Sequence, residues 1–178
     1  MQYEEAIQTI EPGMYQHFKG NYYEVLCIAR HSETSGPMVV YRALYGDGGV
    51  WVRPADMWNE TVERDGHTFA RFRKVSQAER VSFYEALFDE VSAAGDSRTN
   101  EIISVAGDSR TNEKVSAAGD SRDAISSASD IEQKLRLLEA YYTSGQWRED
   151  YEADEQGLLP EDLKRGVLSQ DALYDLLG

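Results

Sequence analysis

The chain has 178 residues, of which 41% are hydrophobic and 28% are charged, a composition typical of globular rather than disordered proteins. Its 32 acidic and 18 basic side chains give a net charge of −14, which repels phosphate backbones and makes nucleic acid an unfavourable partner. No stretch approaches the roughly 20 apolar residues of a membrane span, and no export signal opens the chain. We therefore expect a cytoplasmic protein that does not bind a membrane.

Residues 13–75 have the pattern of short strands and turns. Runs of β-branched and aromatic residues cover 22–29, 38–45 and 50–52. The sequence Gly-Asp-Gly-Gly at 46–49 predicts a hairpin between the last two runs, and 32–37 predicts a turn between the first two. Asp65 and Gly66 predict a second hairpin, which joins 60–63 to 68–72, and 54–58 predicts one helical turn. Many short strands without a long helix indicate a small barrel or sandwich.

The single cysteine, Cys27, lies in the apolar run of residues 25–29. One thiol excludes an internal disulfide and a thiolate metal cage, and it fits a reducing compartment. We predict a buried, unreactive side chain at this position. The sequence indicates no cofactor.

A helical pattern begins at Gln77, where Val81, Tyr84, Phe88 and Val91 have the spacing of an amphipathic helix. Three near-identical units then follow at 91–101, 103–113 and 115–124, and they start 12 residues apart. Each unit contains Gly-Asp-Ser, which favours turns and helix ends. We interpret the repeat as an exposed, partly ordered loop, with an ordered repeat structure as the alternative.

Helical spacing returns after the repeat, from Ile125 to Tyr142, and Gly145 is predicted to end that helix. A short helix is predicted from Pro160 to Gly166, and a last helix over 171–177 with Ser169 as its N-cap. The repeat at 91–124 therefore lies inside a helical module. We predict a β-rich domain at 1–75 and a helical module at 76–178.

Three motifs in order carry a resemblance in the β-rich part: YQHFKG at 15–20, ARHSET at 29–34, and VVYRALYG with WVRP at 39–54. With them, residues 12–73 resemble the bacterial domain-of-unknown-function family 1653. The resemblance implies an SH3-like β-barrel and no established activity. The expected fold class is thus α+β, a small SH3-like β-barrel followed by an α-helical module.

The sequence LEAYYTSGQWREDYEADEQGLLPEDLKRGVLSQDALYDLL at 138–177 resembles family 4298, also of unknown function. In that family a helical stretch precedes the motif, as 78–94 joined to 123–142 does here, so the resemblance extends over about 77–177. The repeat interrupts this stretch. Whether the two helices still pack as an antiparallel pair is left open.

Ligand binding is predicted for an aromatic and basic set in the barrel: His17, Tyr41, Arg42, Trp51 and Arg53. Arginine binds a carboxylate or phosphate through two hydrogen bonds. The alternative is that these arginines pair with Glu24, Glu60 or Asp56 across the sheet. By analogy of fold alone, an exposed aromatic groove suits an extended peptide.

His31 and Glu33 are the candidate catalytic residues, as an acid–base pair or as two metal ligands. The sequence favours a structural interpretation, a turn held by hydrogen bonds of Ser32 and Glu33, because two ligands alone make an incomplete site.

In the helical module, Asp150, Glu152, Asp154 and Glu161 fall at positions 1, 3, 5 and 12 of a calcium-loop template. Position 6, which requires glycine, is Glu155. We therefore favour no metal and an acidic, solvated turn anchored by Trp147 and Tyr151.

Three functional hypotheses follow. The favoured one is a non-catalytic binding or adaptor protein that holds a peptide or a small anionic ligand on the barrel. The alternative is a small hydrolase- or lyase-type enzyme centred on His31, Glu33 and Arg53, although no catalytic triad or phosphate loop accompanies them. A third assigns the repeat a role in spacing or self-association. Oligomeric state is not predicted.

Overall fold

The structure is a computed structural model that describes residues 1–107 and 120–177. The chain divides into two units, Met1–Ser76 and Gln77–Gly178, each with its own hydrophobic core. Strands dominate the first unit and helices form the second, so the α+β class is confirmed. None of the described helices is long and apolar enough to span a lipid bilayer.

The first unit consists of two short helices and seven strands: α1 (Tyr3–Thr9), β1 (Gly13–His17), β2 (Tyr22–Arg30), β3 (Pro37–Ala43), β4 (Val50–Pro54), α2 (Ala55–Trp58), β5 (Thr61–Arg64), β6 (His67–Ala70) and β7 (Phe72–Lys74). Five strands form an antiparallel sheet in the order β4-β3-β2-β1-β7, and β5 pairs with β6 in a separate hairpin. The hairpins predicted at 46–49 and at Asp65-Gly66 are confirmed, as is the helical turn that becomes α2.

The five-stranded sheet is open, and this corrects the predicted barrel. Closure requires the two edge strands to pair along their length. The edge strand β7 has three residues, and it pairs with β1 through Tyr15, Gln16 and His17. Within the described ranges, β7 and the opposite edge strand β4 do not pair, so the main sheet does not close on itself.

Helix α1 was not predicted from the sequence. It places Ala6 and Ile10, both almost fully buried, in the core that includes Val25 and Val39. Among residues 1–12 only these two are buried, one turn apart, so the apolar periodicity is too short to separate a helix from a loop.

Aromatic rings form much of the core of the first unit. Trp58 is 1% exposed and stacks on Phe72, with ring centroids 3.7 Å apart and nearly parallel planes. Tyr15 meets Trp58 edge-on at 5.4 Å, and Tyr41 lies 5.0 Å from it. The edge-to-face contact of Tyr15 with Trp58 adds to the stabilisation that burial of the rings supplies.

Cys27 is exposed, so the prediction of a buried thiol is wrong. The cause is a β-bulge in β2: Val25 is paired with Tyr41, but Cys27 is paired with Val40. The shift moves Cys27 to the face of the sheet opposite Val25, because side chains alternate along a strand and a bulge changes their register.

The second unit contains α3 (Gln77–Gly107), α4 (Asp120–Thr143), α5 (Gly145–Glu155), a 3-10 helix (Gly166–Leu168) and α6 (Gln170–Leu177). Tyr84 of α3 stacks on Tyr141 of α4 at 3.8 Å, and Lys134 of α4 forms an ion pair with Glu90 of α3. From Tyr84 to Glu90 the chain runs forward along α3, while the contacted residues run backward along α4, from Tyr141 to Lys134. The two helices on either side of the repeat therefore pack as an antiparallel pair.

The interpretation of the repeat as a loop is wrong for residues 91–107, which continue α3. Residues 120–124 begin α4, and 108–119 lie outside the described residues. Adding residues to an existing helix costs little free energy compared with nucleating a new one. The packed segment up to Val91 is the existing helix here. A single interior glycine such as Gly95 costs only about 1 kcal/mol relative to alanine.

The remaining helix predictions had mixed outcomes. Residues 160–165 form turns instead of the predicted helix, and the Arg165 guanidinium donates hydrogen bonds to the carbonyls of Pro160, Glu161 and Leu163. The N-cap at Ser169 is confirmed, since its Oγ accepts the Ala172 N–H at 3.4 Å.

Candidate functional site

Strand alternation gives the five-stranded sheet two faces, and one of them carries most of the predicted ligand-binding residues. Its members are in register across neighbouring strands: Tyr15 opposite Tyr23, His17 opposite Phe72, Tyr41 opposite Trp51, and Val39 opposite Arg53. We call His17, Tyr23, Tyr41, Trp51, Arg53 and Phe72 the aromatic face.

Phe72 lies at the centre of this face. The ring of His17 is 4.9 Å from that of Phe72, the ring of Tyr41 is 6.2 Å away, and the guanidinium carbon of Arg53 is 5.8 Å from the ring centroid. The sheet thus brings together His17, Tyr41 and Arg53, which the sequence had grouped. Tyr41 is buried and forms the floor, whereas Trp51 is 59% exposed.

The Arg53 guanidinium has a buried nitrogen without a partner among the described residues, as do the side chains of Trp58, at Nε1, and Arg71, at Nε, in the same unit. In Arg53 this nitrogen is Nε, and no atom of the described residues accepts a hydrogen bond from it. The guanidinium also forms no ion pair within the part of the chain that the structure describes. A buried donor without an acceptor destabilises a fold by about 1–3 kcal/mol, so such groups require an explanation.

His17 lies in a local concentration of positive charge. Burial lowers the pKa of its imidazole below 6.5, and the nearby charges of Arg71, Lys19 and Arg53 lower it further. The ring is therefore mostly neutral at pH 7. Arg71 is paired with Glu60 at 2.8 Å, so Lys19 and Arg53 are the remaining positive charges of this cluster, in a chain of net charge −14.

Two tyrosine hydroxyls adjoin the aromatic face. Tyr23 and Tyr45 share a hydrogen bond of 2.6 Å, and their rings are 5.4 Å apart. Burial, together with this hydrogen bond, raises the pKa of Tyr23 to about 12, so the hydroxyl keeps its proton at neutral pH. Neutral hydroxyls can donate a hydrogen bond to an anion without repelling it.

A cleft of about 320 Å³ opens beside His17, lined also by Phe18, Phe69 and Arg73. Arg73 donates a hydrogen bond to Gln16 Oε1 at 2.7 Å across the same region. His17 thus borders both the aromatic face and this cleft.

Arg42 does not reach the aromatic face. It follows Tyr41 in β3, so its side chain is on the opposite face, where it lies 4.0 Å from Glu24. This is the cross-strand pairing that the sequence analysis had kept as an alternative for the arginines.

His31 and Glu33 lie in an exposed turn between β2 and β3. The Nδ1 atom of His31 accepts the backbone N–H of Glu33 at 3.2 Å and that of Thr34 at 3.4 Å. Among the described residues, no hydrogen bond or ion pair joins either side chain to Arg53. The imidazole organises the turn, and the geometry offers no convergent catalytic group around it.

The acidic residues of the calcium-loop template do not form a loop. Asp150, Glu152 and Asp154 belong to α5, where Asp150 is fully buried against Arg80 and Tyr141. Asp154 pairs with Arg165 at 2.6 Å. In the described parts of the chain, no group of three or more His, Cys, Asp or Glu side chains has the geometry of a metal site.

The sequence analysis missed Phe72 and Arg71 as parts of the site. Residues 68–72 were expected to form one strand, but β6 ends at Ala70 and β7 begins at Phe72. The position of Phe72 depends on pairing between β1 and β7, which are far apart in the chain, and no local pattern indicates that pairing.

Comparison with known proteins confirms both family resemblances. Residues 13–74 match the model of a family described as a protein of unknown function, DUF1653, and residues 111–178 match a domain of unknown function, DUF4298. A crystal structure of a DUF1653 protein from Bordetella bronchiseptica is 39% identical, covering 39% of this chain and 92% of that chain, with a TM-score of 0.37. No curated protein matches the chain. Both family descriptions give an unknown function, so the functional argument depends on the chemistry of the site.

Proposed function

We propose that this is a non-catalytic binding or adaptor protein, and that its aromatic face binds an anionic ligand, either a small molecule or a peptide. A carboxylate or phosphate oxygen would pair with the Arg53 guanidinium. The observation that carries the proposal is this guanidinium, which forms no ion pair with the described residues and whose Nε has no acceptor among them.

Charge favours an anion here. A hydrogen bond between guanidinium and carboxylate or phosphate is charge-assisted and roughly twice as strong as a neutral one. Lys19 and Arg53 both place positive charge near the neutral His17 ring, whereas Arg71 is paired with Glu60 at 2.8 Å. The ring of Phe72, a core residue, lies 5.8 Å from the guanidinium carbon of Arg53 and helps to position it.

The family resemblance extends the proposal. It supports an SH3-like arrangement for the strands of the first unit, a fold class that binds extended ligands over aromatic side chains. A cytoplasmic location is part of the same proposal. The alternative enzyme centred on His31, Glu33 and Arg53 has no comparable support, because His31 Nδ1 is occupied by two backbone N–H groups of its own turn.

The test is a titration of the full chain with acetate and, separately, with inorganic phosphate. Binding is monitored through the NMR signal of the Arg53 Nε–H. We expect a saturable shift of this signal at low ionic strength, where exposed charges are least screened. Arg53→Met removes the guanidinium but keeps an apolar side chain near Phe72. This variant should abolish the saturable shift of the NMR signals from the other residues of the aromatic face.

Arg42→Met is the matched control, since Arg42 belongs to the same sheet but to its opposite face. It should leave the titration unchanged. If neither anion gives a saturable shift, or if both variants weaken it equally, the aromatic face is not an anion site.

A further inference from the structure

Strand β4 is a sheet edge whose outward backbone groups can be assigned. The Ala43 N–H donates to the Gly49 carbonyl at 3.0 Å, so residues 43 and 49 are a hydrogen-bonded pair. In an antiparallel ladder such pairs alternate with non-hydrogen-bonded ones. Trp51 and Arg53 therefore bond to β3, whereas the N–H and C=O groups of Val50 and Val52 point away from the sheet.

This edge carries a charged residue and a proline only at its C-terminal end, Arg53 and Pro54, and is unprotected over residues 50–52. Sheet edges are normally blocked by charged side chains, prolines or bulges. The side chains of Val50, Trp51 and Val52 are apolar and 57%, 59% and 62% exposed, and the β3–β4 register has no bulge. The other edge, β7, carries Arg73 and Lys74. Within the described ranges β4 pairs with β3 alone.

We propose that the β4 edge binds an extended, acidic segment of a partner protein, which adds to the sheet as an antiparallel strand. The inference rests on the proposed anion site, because Arg53 lies in the same strand. Strand addition combines main-chain hydrogen bonds with side-chain pockets that read alternate residues.

The side chains around β4 define the pattern of the segment. Directly opposed side chains of paired strands lie about 4.5–5.5 Å apart. On the aromatic face, a glutamate or aspartate of the added strand would pair with the Arg53 guanidinium. On the opposite face, Val52 continues into Val40 and Cys27, which favours an apolar residue there, whereas Val50 lies opposite Arg42.

A second copy of this chain is a poorer occupant of the edge. Residues 50–54 contain no acidic side chain, so a β4 strand from another copy brings no carboxylate to Arg53. Each copy also carries a net charge of −14, which opposes self-association.

The probe is the blocked, fluorescein-labelled peptide Thr-Val-Glu-Val-Glu-Val-Thr, whose valines and glutamates lie on opposite faces when it is extended. Its binding to the full chain is followed by fluorescence anisotropy. We expect a decrease in affinity of about tenfold or more with Arg53→Met, and also when glutamine replaces both glutamates of the peptide. Arg42→Met should change affinity by less than about twofold.

Backbone recognition is tested separately. Val52→Pro removes an outward N–H without removing a bond to β3, and proline is tolerated on edge strands. It should weaken peptide binding by about tenfold, while Val52→Thr, which keeps the N–H, should not. Methylation of the three valine nitrogens should abolish binding, whereas methylation of the glutamate nitrogens should not, because in antiparallel pairing only the valine N–H groups face β4. The methylated peptides are tested on the unaltered protein, so this comparison remains valid even if Val52→Pro fails to fold.

The outcomes separate the two proposals. If acetate still shifts the Arg53 signal but the peptide does not bind, or if both methylated peptides bind equally well, strand addition is wrong and the anion site stands. If the peptide binds through β4 with no effect of Arg53→Met or of glutamine, the anion site is wrong, and with it the acidic character of the partner. If sedimentation shows a dimer that Val52→Pro dissociates, the occupant of the edge is a second copy and the inference is overturned.

Discussion

The guanidinium of Arg80 donates two hydrogen bonds, of 2.8 and 2.5 Å, to the carboxylate of Asp150. Asp150 is fully buried, and it also accepts the hydroxyl of Tyr141 at 2.8 Å. Burial, with the charge of Asp150, raises the pKa of Tyr141 well above its usual range, so the hydroxyl remains a donor. One carboxylate thereby joins α3, α4 and α5.

Asp150→Asn is expected to destabilise the helical unit by about 3–5 kcal/mol, because it leaves the Arg80 charge buried without its counter-charge. Tyr141→Phe should lose less, about 1.5–3 kcal/mol, the contribution of one hydrogen bond to a charged group. Urea unfolding followed by far-ultraviolet circular dichroism measures both. Glu149→Gln is the control, since Glu149 lies 3.5 Å from Arg80 but is largely exposed, and it should change stability by less than about 0.5 kcal/mol. Equal effects at 149 and 150 would contradict this account.

The tryptophans of the first unit should respond in opposite ways to truncation. Trp58→Ala removes the ring stacked on Phe72 and is expected to cost about 3–5 kcal/mol of stability. Trp51→Ala removes an exposed ring and should leave the unfolding midpoint nearly unchanged while weakening binding of the peptide probe. Chemical denaturation of the two variants tests the contrast. A severe loss of stability in Trp51→Ala would place that ring in the core and remove it from the binding surface.

Two glycines of the helical unit differ in the space around them. A Cβ at Gly166 would lie 2.9 Å from Glu85 Oε1 and 3.3 Å from Phe88 Cε1. Glu85 is held in place because its other carboxylate oxygen accepts the Val167 N–H at 2.7 Å. Gly166→Ala should therefore cost about 1–3 kcal/mol. At Gly145, the first residue of α5, no atom lies within 4 Å of an added Cβ.

Gly145→Ala should consequently leave the protein as stable or increase its stability by about 0.4–1 kcal/mol, since alanine restricts the unfolded chain. Thermal and urea unfolding of the two variants would decide the matter. A neutral Gly166→Ala would mean that the Glu85 carboxylate can move away from the 3-10 helix.

The titration of His17 reports on the anion site. Its pKa lies below 6.5 because burial and the charges of Arg71, Lys19 and Arg53 disfavour protonation. Arg53→Met should raise the pKa of His17, as should saturation with acetate, because each removes or neutralises positive charge nearby. An NMR titration of the imidazole Cε1–H measures this shift. Arg42→Met should leave the pKa of His17 unchanged. If this pKa is the same in the parent protein, in both variants and with saturating acetate, His17 is not part of the anion site.

The same shift has a consequence for stability. In the unfolded chain His17 takes up a proton near pH 6.5, and in the folded chain only at lower pH. Its contribution to stability is thus fully present above pH 6.5 and is lost as the pH falls through the lowered pKa. The urea midpoint measured between pH 7 and pH 5 should fall less in His17→Phe than in the parent protein, and an identical slope would contradict the assignment.

Local patterns in the sequence determined much of the architecture. The turn residues at 46–49 and at Asp65-Gly66 placed two hairpins, and the spacing of Val81, Tyr84 and Val91 identified the buried side of α3. The sequence grouped Tyr41 with Arg53 by residue type, but it also included Arg42, which lies on the opposite face. Each of these signals acts within a few residues, where backbone preference and side-chain period decide the outcome.

Tertiary structure decided what depends on distant partners. The bulge after Val25 reversed the face of Cys27, the short strand β7 left the sheet open, and the pairing of β1 with β7 brought Phe72 beneath His17. Asp150 belonged to an acidic run by sequence, but its partner Arg80 lies 70 residues away. Such contacts are selected by the free energy of the whole packed unit, which no single window of the chain contains.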